Sequence, residues 1–171
     1  MAHFRDETDV DELEWKTRGH DAPADLPERL VAAGLHAEPE ETVMIGEASA
    51  LAVPVEVPAG VTVRRLDPTK HAHVEEWVAE AEGSVVATGR LEVVPGTEFA
   101  GLWGGATLEQ WRGRGIYRAP VSARAQSAIQ RGVRYLHSDC TEMSRPILER
   151  SGLSRVTTTT PFVWRRSPTV D

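Results

Sequence analysis

The stretch LEQWRGRGIYRA, Leu108–Ala119, sits just past the middle of the 171-residue chain and combines two glycines with three arginines. The whole chain carries a formal net charge of −7, so this local group of cations is unusual. The flanking residues predict a strand before the stretch and an alanine-rich helix after it. A helix N-terminus offers unpaired N–H groups, and glycines let an anion approach the backbone. We therefore expect an anion site here, with Arg112, Arg114 and Arg118 supplying positive charge.

Two common phosphate-binding loops do not fit this stretch. The segment with Gly113 and Gly115 lacks the third glycine of a dinucleotide-binding fingerprint, and it is not followed by a strand that ends in an acidic residue. No Gly-Lys-Ser/Thr sequence follows either, which excludes a Walker-type loop.

Composition limits the remaining possibilities. A chain of 171 residues with 40% hydrophobic and 26% charged residues is typical of one globular domain. Its acidic balance argues against nucleic-acid binding, and no apolar run approaches the roughly 20 residues of a membrane span.

The one cysteine, Cys140, excludes an intramolecular disulfide. The acidic first residues do not resemble a secretion signal. We expect a cytoplasmic protein with neither membrane nor nucleic-acid partners. No metal is expected, because His, Cys and carboxylates show no metal-ligand spacing.

Periodicity and turn residues predict a mixed α/β domain. Before residue 61 they predict strand 13–20, helix 22–35, strand 41–48 and a connector over 51–60. From residue 61 they predict strand 61–66, helix 69–81, strands 83–94 and 96–108, helix 118–132, strand 133–140 and helix 144–153. The last segment, 154–165, is either one strand or two strands bent at Pro161.

The segment QWRGRG, Gln110–Gly115, resembles the Q/R-x-x-G-x-G/A motif of the GNAT superfamily of acyl-CoA-dependent N-acetyltransferases. The resemblance covers roughly residues 60–165, and ILERSGL, Ile147–Leu153, is similar to the family's last helix. It implies a GNAT fold for residues 61–171, in which helices flank a central, splayed and mostly antiparallel sheet.

The resemblance also implies a cosubstrate, acetyl-CoA, and a set of residues that bind it. Ala106, Thr107 and Leu108 would line the pantetheine arm, and residues 113–117 would wrap the pyrophosphate. The full set of implied cofactor-binding residues is Ala106, Thr107, Leu108, Gln110, Arg112, Gly113, Arg114, Gly115, Ile116, Tyr117 and Thr141.

The sequence departs from the family pattern at several positions. Pro120 falls near the start of the helix, where a proline is harmless only in the first turn. Thr141 stands where relatives often have an asparagine that contacts pantetheine. Leu148 stands where many have a tyrosine thought to protonate the leaving thiolate. The general base is also not obvious, and the candidates are Glu98, Asp139, His137 and Glu92.

These observations predict transfer of acetyl from acetyl-CoA to a primary amine of a small acceptor. The acidic balance favours a cationic acceptor. The alternative is a catalytically silent GNAT-fold module that senses acyl-CoA, and a longer acyl donor is a further alternative. The protein is expected to be a monomer or a homodimer.

Residues 1–50 raise a separate question. The predicted strand–helix–strand order over 13–47 repeats that of residues 133–165, and both helices end in Gly-Leu. The segment is either a degenerate copy of half a GNAT domain or a coincidental likeness. It has no arginine–glycine loop, so we expect it to pack on the sheet and shape the acceptor pocket.

Overall fold

A computed structural model describes residues 3–4, 7–67 and 71–166. Its strands are β1 (Glu12–Arg18), β2 (His36–Ala37), β3 (Glu41–Glu47), β4 (Val61–Arg65), β5 (Val74–Ala81), β6 (Ser84–Val93), β7 (Phe99–Thr107), β8 (Tyr135–Cys140) and β9 (Ser154–Arg165). Its helices are α1 (Leu26–Ala32), α2 (Ala48–Leu51), α3 (Arg118–Gln130) and α4 (Arg145–Arg150), with a short 3-10 turn at Glu109–Trp111.

The strands form one sheet in the order β1-β9-β3-β8-β7-β6-β5-β4, and β2 adds to β9. The pairing of β7 with β8 is parallel, and the other pairings are antiparallel. The predicted mixed α/β fold, with helices flanking a mostly antiparallel sheet, is confirmed.

The helix predicted over residues 69–81 is wrong. Val74–Ala81 is strand β5, which pairs with β4 on one side and β6 on the other; Thr69 and Lys70 lie outside the described residues. Glu82 and Gly83 both have positive φ, 52° and 75°, as a tight hairpin between β5 and β6 requires. Alanine and glutamate favour a helix over this segment, but the Glu82-Gly83 turn and the pairing with two neighbouring strands outweigh that propensity.

The last segment is a single strand. β9 runs without interruption from Ser154 to Arg165, and Pro161 lies within it, opposite Lys16. Of the two alternatives for this segment, the structure has the unbroken one.

The N-terminal residues belong to the sheet itself. Strand β3 lies between β8 and β9 and pairs with both, while β1 covers the outer edge of β9. Met44 of β3 is fully buried in the main core beside Leu136 and Leu153. A second cluster packs Leu30 and Leu35 against Phe162.

Helix α3 lies across the sheet and positions the loop that precedes it. Its Val121, Ala125 and Ala128 pack into the main core against Leu91 and Leu102. The small alanine side chains allow the helix backbone to approach the strands closely. Ile116, just before the helix, is 1% exposed and anchors the loop beneath β6 residues Val86 and Ala87.

Candidate active site

A cleft opens where β7 and β8 part. The two strands pair through Phe99, Ala100 and Gly101 of β7, and the ladder ends at the Gly101–His137 pair. Beyond that row β7 pairs with β6 and β8 pairs with β3. A cavity of about 920 Å³ fills this region, lined by the second half of β7, the start of α3, the end of β8 and α4.

Strand β7 carries a bulge beside the cleft. Thr88 pairs with Ala106 and Arg90 pairs with Trp103, so Gly104 and Gly105 both lie opposite Gly89. Gly104 has φ of 58°, which a glycine adopts without strain. The ring of Tyr117 packs against Gly105, because a Cβ built there would lie 3.0 Å from Cε2 of the tyrosine. Burial raises the pKa of Tyr117, so its hydroxyl keeps its proton.

A buried arginine pins this bulge in place. Arg124 is 1% exposed, and its Nη1 donates to the carbonyl oxygens of Arg90 (3.0 Å) and Trp103 (3.3 Å). Its Nε donates to the carbonyl of Pro120 at 3.0 Å. Burial lowers the pKa of Arg124 to about 10, which leaves the guanidinium charged at neutral pH. Gly89 provides the space, since a Cβ there would lie 2.5 Å from the guanidinium carbon.

The loop between the 3-10 turn and α3 presents a row of free donors. The N–H groups of residues 113–117 have no hydrogen-bond partner within the described part of the chain, whereas those of Arg118 and Ala119 bond back to Gly115 and Ile116. Gly113 and Gly115 have φ of 74° and 77°. These N–H groups lie at the N-terminus of a 13-residue helix, so backbone donors and helix dipole both favour a bound anion.

The loop arginines take different positions. Arg112 donates from Nε to the carbonyl of Thr107 at 3.1 Å, which ties the loop to the end of β7. The guanidinium carbon of Arg114 lies 4.7 Å from the ring centroid of Trp111. Arg112 and Arg118 line the cavity, and Arg114 does not.

The other predicted cofactor residues divide into two groups. Ala106, Thr107, Gly113, Gly115, Ile116, Tyr117 and Thr141 line the cavity. Leu108 is 47% exposed and Gln110 is exposed, and neither lines it. The buried Oγ1 of Thr107 has no hydrogen-bond partner among the described residues, so the cavity wall holds an unsatisfied polar atom.

On the sheet face around the cleft, Trp103 is surrounded by polar groups. Cross-strand partners share a face, so Glu92, Gly101 and His137 form one row, and Arg90 lies beside Trp103 in the next. Asp139 follows His137 by two residues and therefore shares its face. Three of the four general-base candidates thus lie around this tryptophan, and of these three Asp139 lines the cavity whereas His137 and Glu92 do not.

The fourth candidate, Glu98, lies elsewhere. It is exposed in the β6–β7 connection and does not line the cavity. Its carbonyl oxygen accepts hydrogen bonds from the N–H groups of Arg134 and Tyr135, which holds the start of β8 beside β7.

An ionic cluster of Lys16, Glu41 and Asp139 forms one part of the cavity wall. Lys16 of β1 donates to Glu41 at 2.7 Å and to Asp139 at 3.0 Å, and all three residues line the cavity. The Asp139 side chain is 4% exposed. The ammonium of Lys16 lies 5.7 Å from the Trp103 ring centroid. The N-terminal strands therefore contribute charged groups to the same cavity as the loop.

Two neighbouring titratable groups have shifted pKa values. Burial lowers the pKa of His137, which favours the neutral imidazole at neutral pH. Burial raises the pKa of Cys140 to about 11, and its thiol donates to the carbonyl of Thr42 at 3.3 Å. A thiol with so high a pKa is a poor nucleophile at neutral pH.

No grouping of three or more His, Cys, Asp or Glu residues suited to a metal ion occurs within 3–4, 7–67 and 71–166. Nor does any helix in these ranges have the length and apolar character to cross a bilayer.

A family model described as the acetyltransferase (GNAT) family matches residues 46–149. The chain belongs to this family. The match spans β4 to α4 and includes both the bulged strand and the arginine–glycine loop. It confirms the resemblance carried by the motif at Gln110–Gly115. A search of curated proteins gives no significant match.

Solved structures share the fold of this GNAT chain. A GCN5-related N-acetyltransferase from Kribbella flavida aligns with a TM-score of 0.66 and 19% identity, over 88% of this chain and 67% of that one. One from Sphaerobacter thermophilus gives 0.62 and 16%, over 94% and 61%. A tandem GNAT protein from the clavulanic acid biosynthesis pathway gives 0.62 and 15%, over 95% and 66%. The chain thus spans about two thirds of the length of these structures.

Sequence reasoning missed several residues of the cavity. Lys16 and Glu41 lie far from the motif in sequence and reach the cavity because β1 and β3 join the sheet. Arg124 gave no signal, because its partners are backbone carbonyls. Trp103 also lines the cavity, whereas a tryptophan in a strand is more often a core residue.

Proposed function

We propose that this chain transfers the acetyl group of acetyl-CoA to a primary amine of a small acceptor. The observation that carries the proposal is the row of free N–H groups at residues 113–117, at the start of α3 and beside a cleft between parting strands. A pyrophosphate fits such a site, since it offers several anionic oxygens to backbone donors.

The open edge of β7 suits the pantetheine arm. Past Gly101, the cleft side of β7 has no partner strand within the described ranges, so its backbone groups can pair with the amides of an extended ligand.

Aminolysis of a thioester needs three contributions from the protein. It must hold both reactants together, polarise the thioester carbonyl and remove a proton from the amine. Backbone N–H groups near the Gly104–Gly105 bulge are suited to the second task. Asp139, His137 and Glu92 are the candidates for the third, directly or through water. Leu148, buried at 1% exposure, cannot protonate the thiolate. A thiol has a pKa of roughly 8.5, so water can protonate the departing sulfur.

The ionic cluster in the cavity wall favours an acceptor that carries positive charge. Two carboxylates, Glu41 and Asp139, outnumber the single ammonium of Lys16. Trp103 adds an aromatic surface next to them, which attracts an ammonium group. Polyamines, aminosugars and amino groups on other cationic molecules have this chemistry.

Release of free CoA thiol in the presence of a panel of amines tests the proposal. We expect turnover that requires both acetyl-CoA and an amine, with cationic amines preferred at low salt. Competition among acyl-CoAs of increasing chain length checks that acetyl is the preferred group. Binding of acetyl-CoA without acetylation of any amine would overturn the proposal and indicate an acyl-CoA sensor.

A further inference from the structure

Lysine is rare in this chain, yet one lysine lies in the cavity. Of the 19 basic residues, only Lys16 and Lys70 are lysines. Lys16 lines the same cavity as Gly104 and Tyr117, and its side chain is 23% exposed. A primary amine therefore lies within the space in which an amine acceptor would react.

The position of this amine is fixed by the sheet. Lys16 lies in the middle of β1, directly opposite Pro161 of β9. Its Nζ is held between Glu41 and Asp139, at 2.7 and 3.0 Å. Its location thus follows from strand pairing and two hydrogen bonds, not from a loose loop.

Two groups that could accept its proton are already in contact. Burial alone would lower the pKa of Lys16, but hydrogen bonds to Glu41 and Asp139 outweigh it, and the pKa lies above its ordinary value. The amine is therefore charged at rest and must pass a proton to one of these carboxylates before it can attack.

We propose that Lys16 is itself an acceptor, so that the protein acetylates its own Lys16 side chain from acetyl-CoA bound in the cleft. This inference rests on the proposed function. Nζ gives a proton to Glu41 or Asp139 and forms an amide bond with the acetyl carbon. As the thioester C–S bond breaks, the nitrogen gives up its second proton, and the sulfur leaves as a thiolate that takes up this proton through water.

The product has a consequence for the same site. An amide is stable, so the reaction stops at one acetyl group per chain. Acetylation removes the ammonium that lies between Glu41 and Asp139 and leaves two carboxylates without their cation. The ionic cluster of the modified protein is therefore more negative, and its preference for cationic amines is stronger.

Mass spectrometry of the intact protein, incubated with acetyl-CoA and no added amine, tests this directly. We expect a gain of one acetyl group per chain, which peptide mapping places on Lys16. The variant Lys16→Arg, which keeps a cation but has no amine, should lose the gain. Lys70→Arg, which removes the only other lysine, should keep it. Gly113→Asp, which places a carboxylate in the anion site, reports the uncatalysed background and should show no gain above it.

The outcomes separate this inference from the proposed function. Acetylation of Lys70 as fast as Lys16, or an undiminished gain in a Lys16→Arg protein with a cooperative melting transition, overturns the inference. Turnover of small amines without Lys16 acetylation overturns the inference alone. Absence of thiol release with any amine, together with an unmodified Lys16, overturns the proposed function as well.

Discussion

The indole of Trp103 meets the imidazole of His137 edge to face, with ring centroids 5.2 Å apart and an interplanar angle of 79°. The contact lies at the point where β7 and β8 part: His137 belongs to the last pair of their ladder, and Trp103 lies one row beyond that pair. The indole folds back over Gly101, where any Cβ would overlap its nitrogen. The missing side chain at Gly101 thus allows an aromatic surface to lie flat beside the cleft.

Replacing Gly101 by alanine should lower the rate of reaction with the amine acceptor and leave the binding of acetyl-CoA unchanged. The added methyl group displaces the Trp103 indole, and a shift of about 1 Å at a reacting site can lower the rate roughly 100-fold. We expect kcat/KM for the amine to fall by about this factor, while acetyl-CoA still raises the melting temperature. The control is Gly19→Ala, where a Cβ meets nothing within 4 Å. Unchanged kinetics in a folded Gly101→Ala protein would exclude Trp103 from the acceptor site.

The general base can be assigned with four conservative variants: Glu92→Gln, His137→Gln, Asp139→Asn and Glu98→Gln. Replacement of the base should lower turnover at neutral pH by roughly 10²–10⁴-fold. The loss should shrink as pH rises, because the amine then deprotonates unaided. Glu98→Gln serves as the matched control, since Glu98 is an exposed residue of the β6–β7 connection and not one of the groups around Trp103. If the other three all keep wild-type rates across the pH range, the base lies elsewhere.

His137 should make stability depend on pH. Burial lowers its pKa in the folded state, and Arg18 adds to this effect; Asp139 and Glu92 oppose it. As pH falls, the unfolded chain therefore takes up a proton at this residue before the folded protein does, near the ordinary histidine pKa of about 6.5. The stabilisation is complete above that pH and is lost as pH falls through and below it. Urea unfolding between pH 5 and 8 should show a shallower pH dependence for His137→Gln than for the wild type. The exposed His20→Gln variant should follow the wild-type curve.

The anion site can be tested with two glycines of similar conformation. Gly113 and Gly96 have φ of 74° and 75°, and a Cβ at either meets nothing within 4 Å. Gly113→Asp and Gly96→Asp thus add similar backbone strain, but only the first places a carboxylate among the free N–H groups. Acetyl-CoA at about 100 times its Kd should stabilise the wild type and Gly96→Asp by roughly 2.7 kcal/mol. Thermal unfolding should show no such shift for Gly113→Asp. An equal shift in both variants would argue against pyrophosphate binding at this loop.

The sequence predicted the arginine–glycine loop better than the ionic cluster in the cavity wall, and the reason is physical. Residues 112–118 form a local motif, whose glycines and arginines act through the backbone they occupy. The contact between Lys16 and Asp139 joins residues 123 positions apart, and they meet only because β1 pairs with β9, β9 with β3 and β3 with β8. Arg124 escaped detection for a different reason: its carbonyl partners exist in every residue, so no sequence pattern marks them.

The two strand–helix–strand units, β1-α1-β3 and β8-α4-β9, interleave in the sheet as β1-β9-β3-β8. If β1 is exchanged with β8 and β3 with β9, the same strand order results, read from the other end. Both helices also end alike: Leu35 N–H bonds the carbonyl of Leu30, and Leu153 N–H bonds that of Leu148, each across a glycine of positive φ. These parallels support the proposal that residues 1–50 are a degenerate half-repeat, although such helix ends are common. They also give Leu148 a packing role, since it lies in the same core cluster as Leu153.

Removal of residues 1–50 should destroy the fold. Without β3, strands β8 and β9 lose the strand that pairs with both of them. Phe162 loses the cover of Leu30 and Leu35, and the main core loses Met44. We expect fragment 51–171 to be insoluble or molten, with no cooperative melting transition and with exposed apolar surface that binds a hydrophobic dye. Co-expression of residues 1–50 as a separate chain should restore soluble protein, because strand pairing does not require the covalent link. A fragment 51–171 that melts cooperatively and binds acetyl-CoA would show instead that the N-terminal strands are an accessory to a self-sufficient domain.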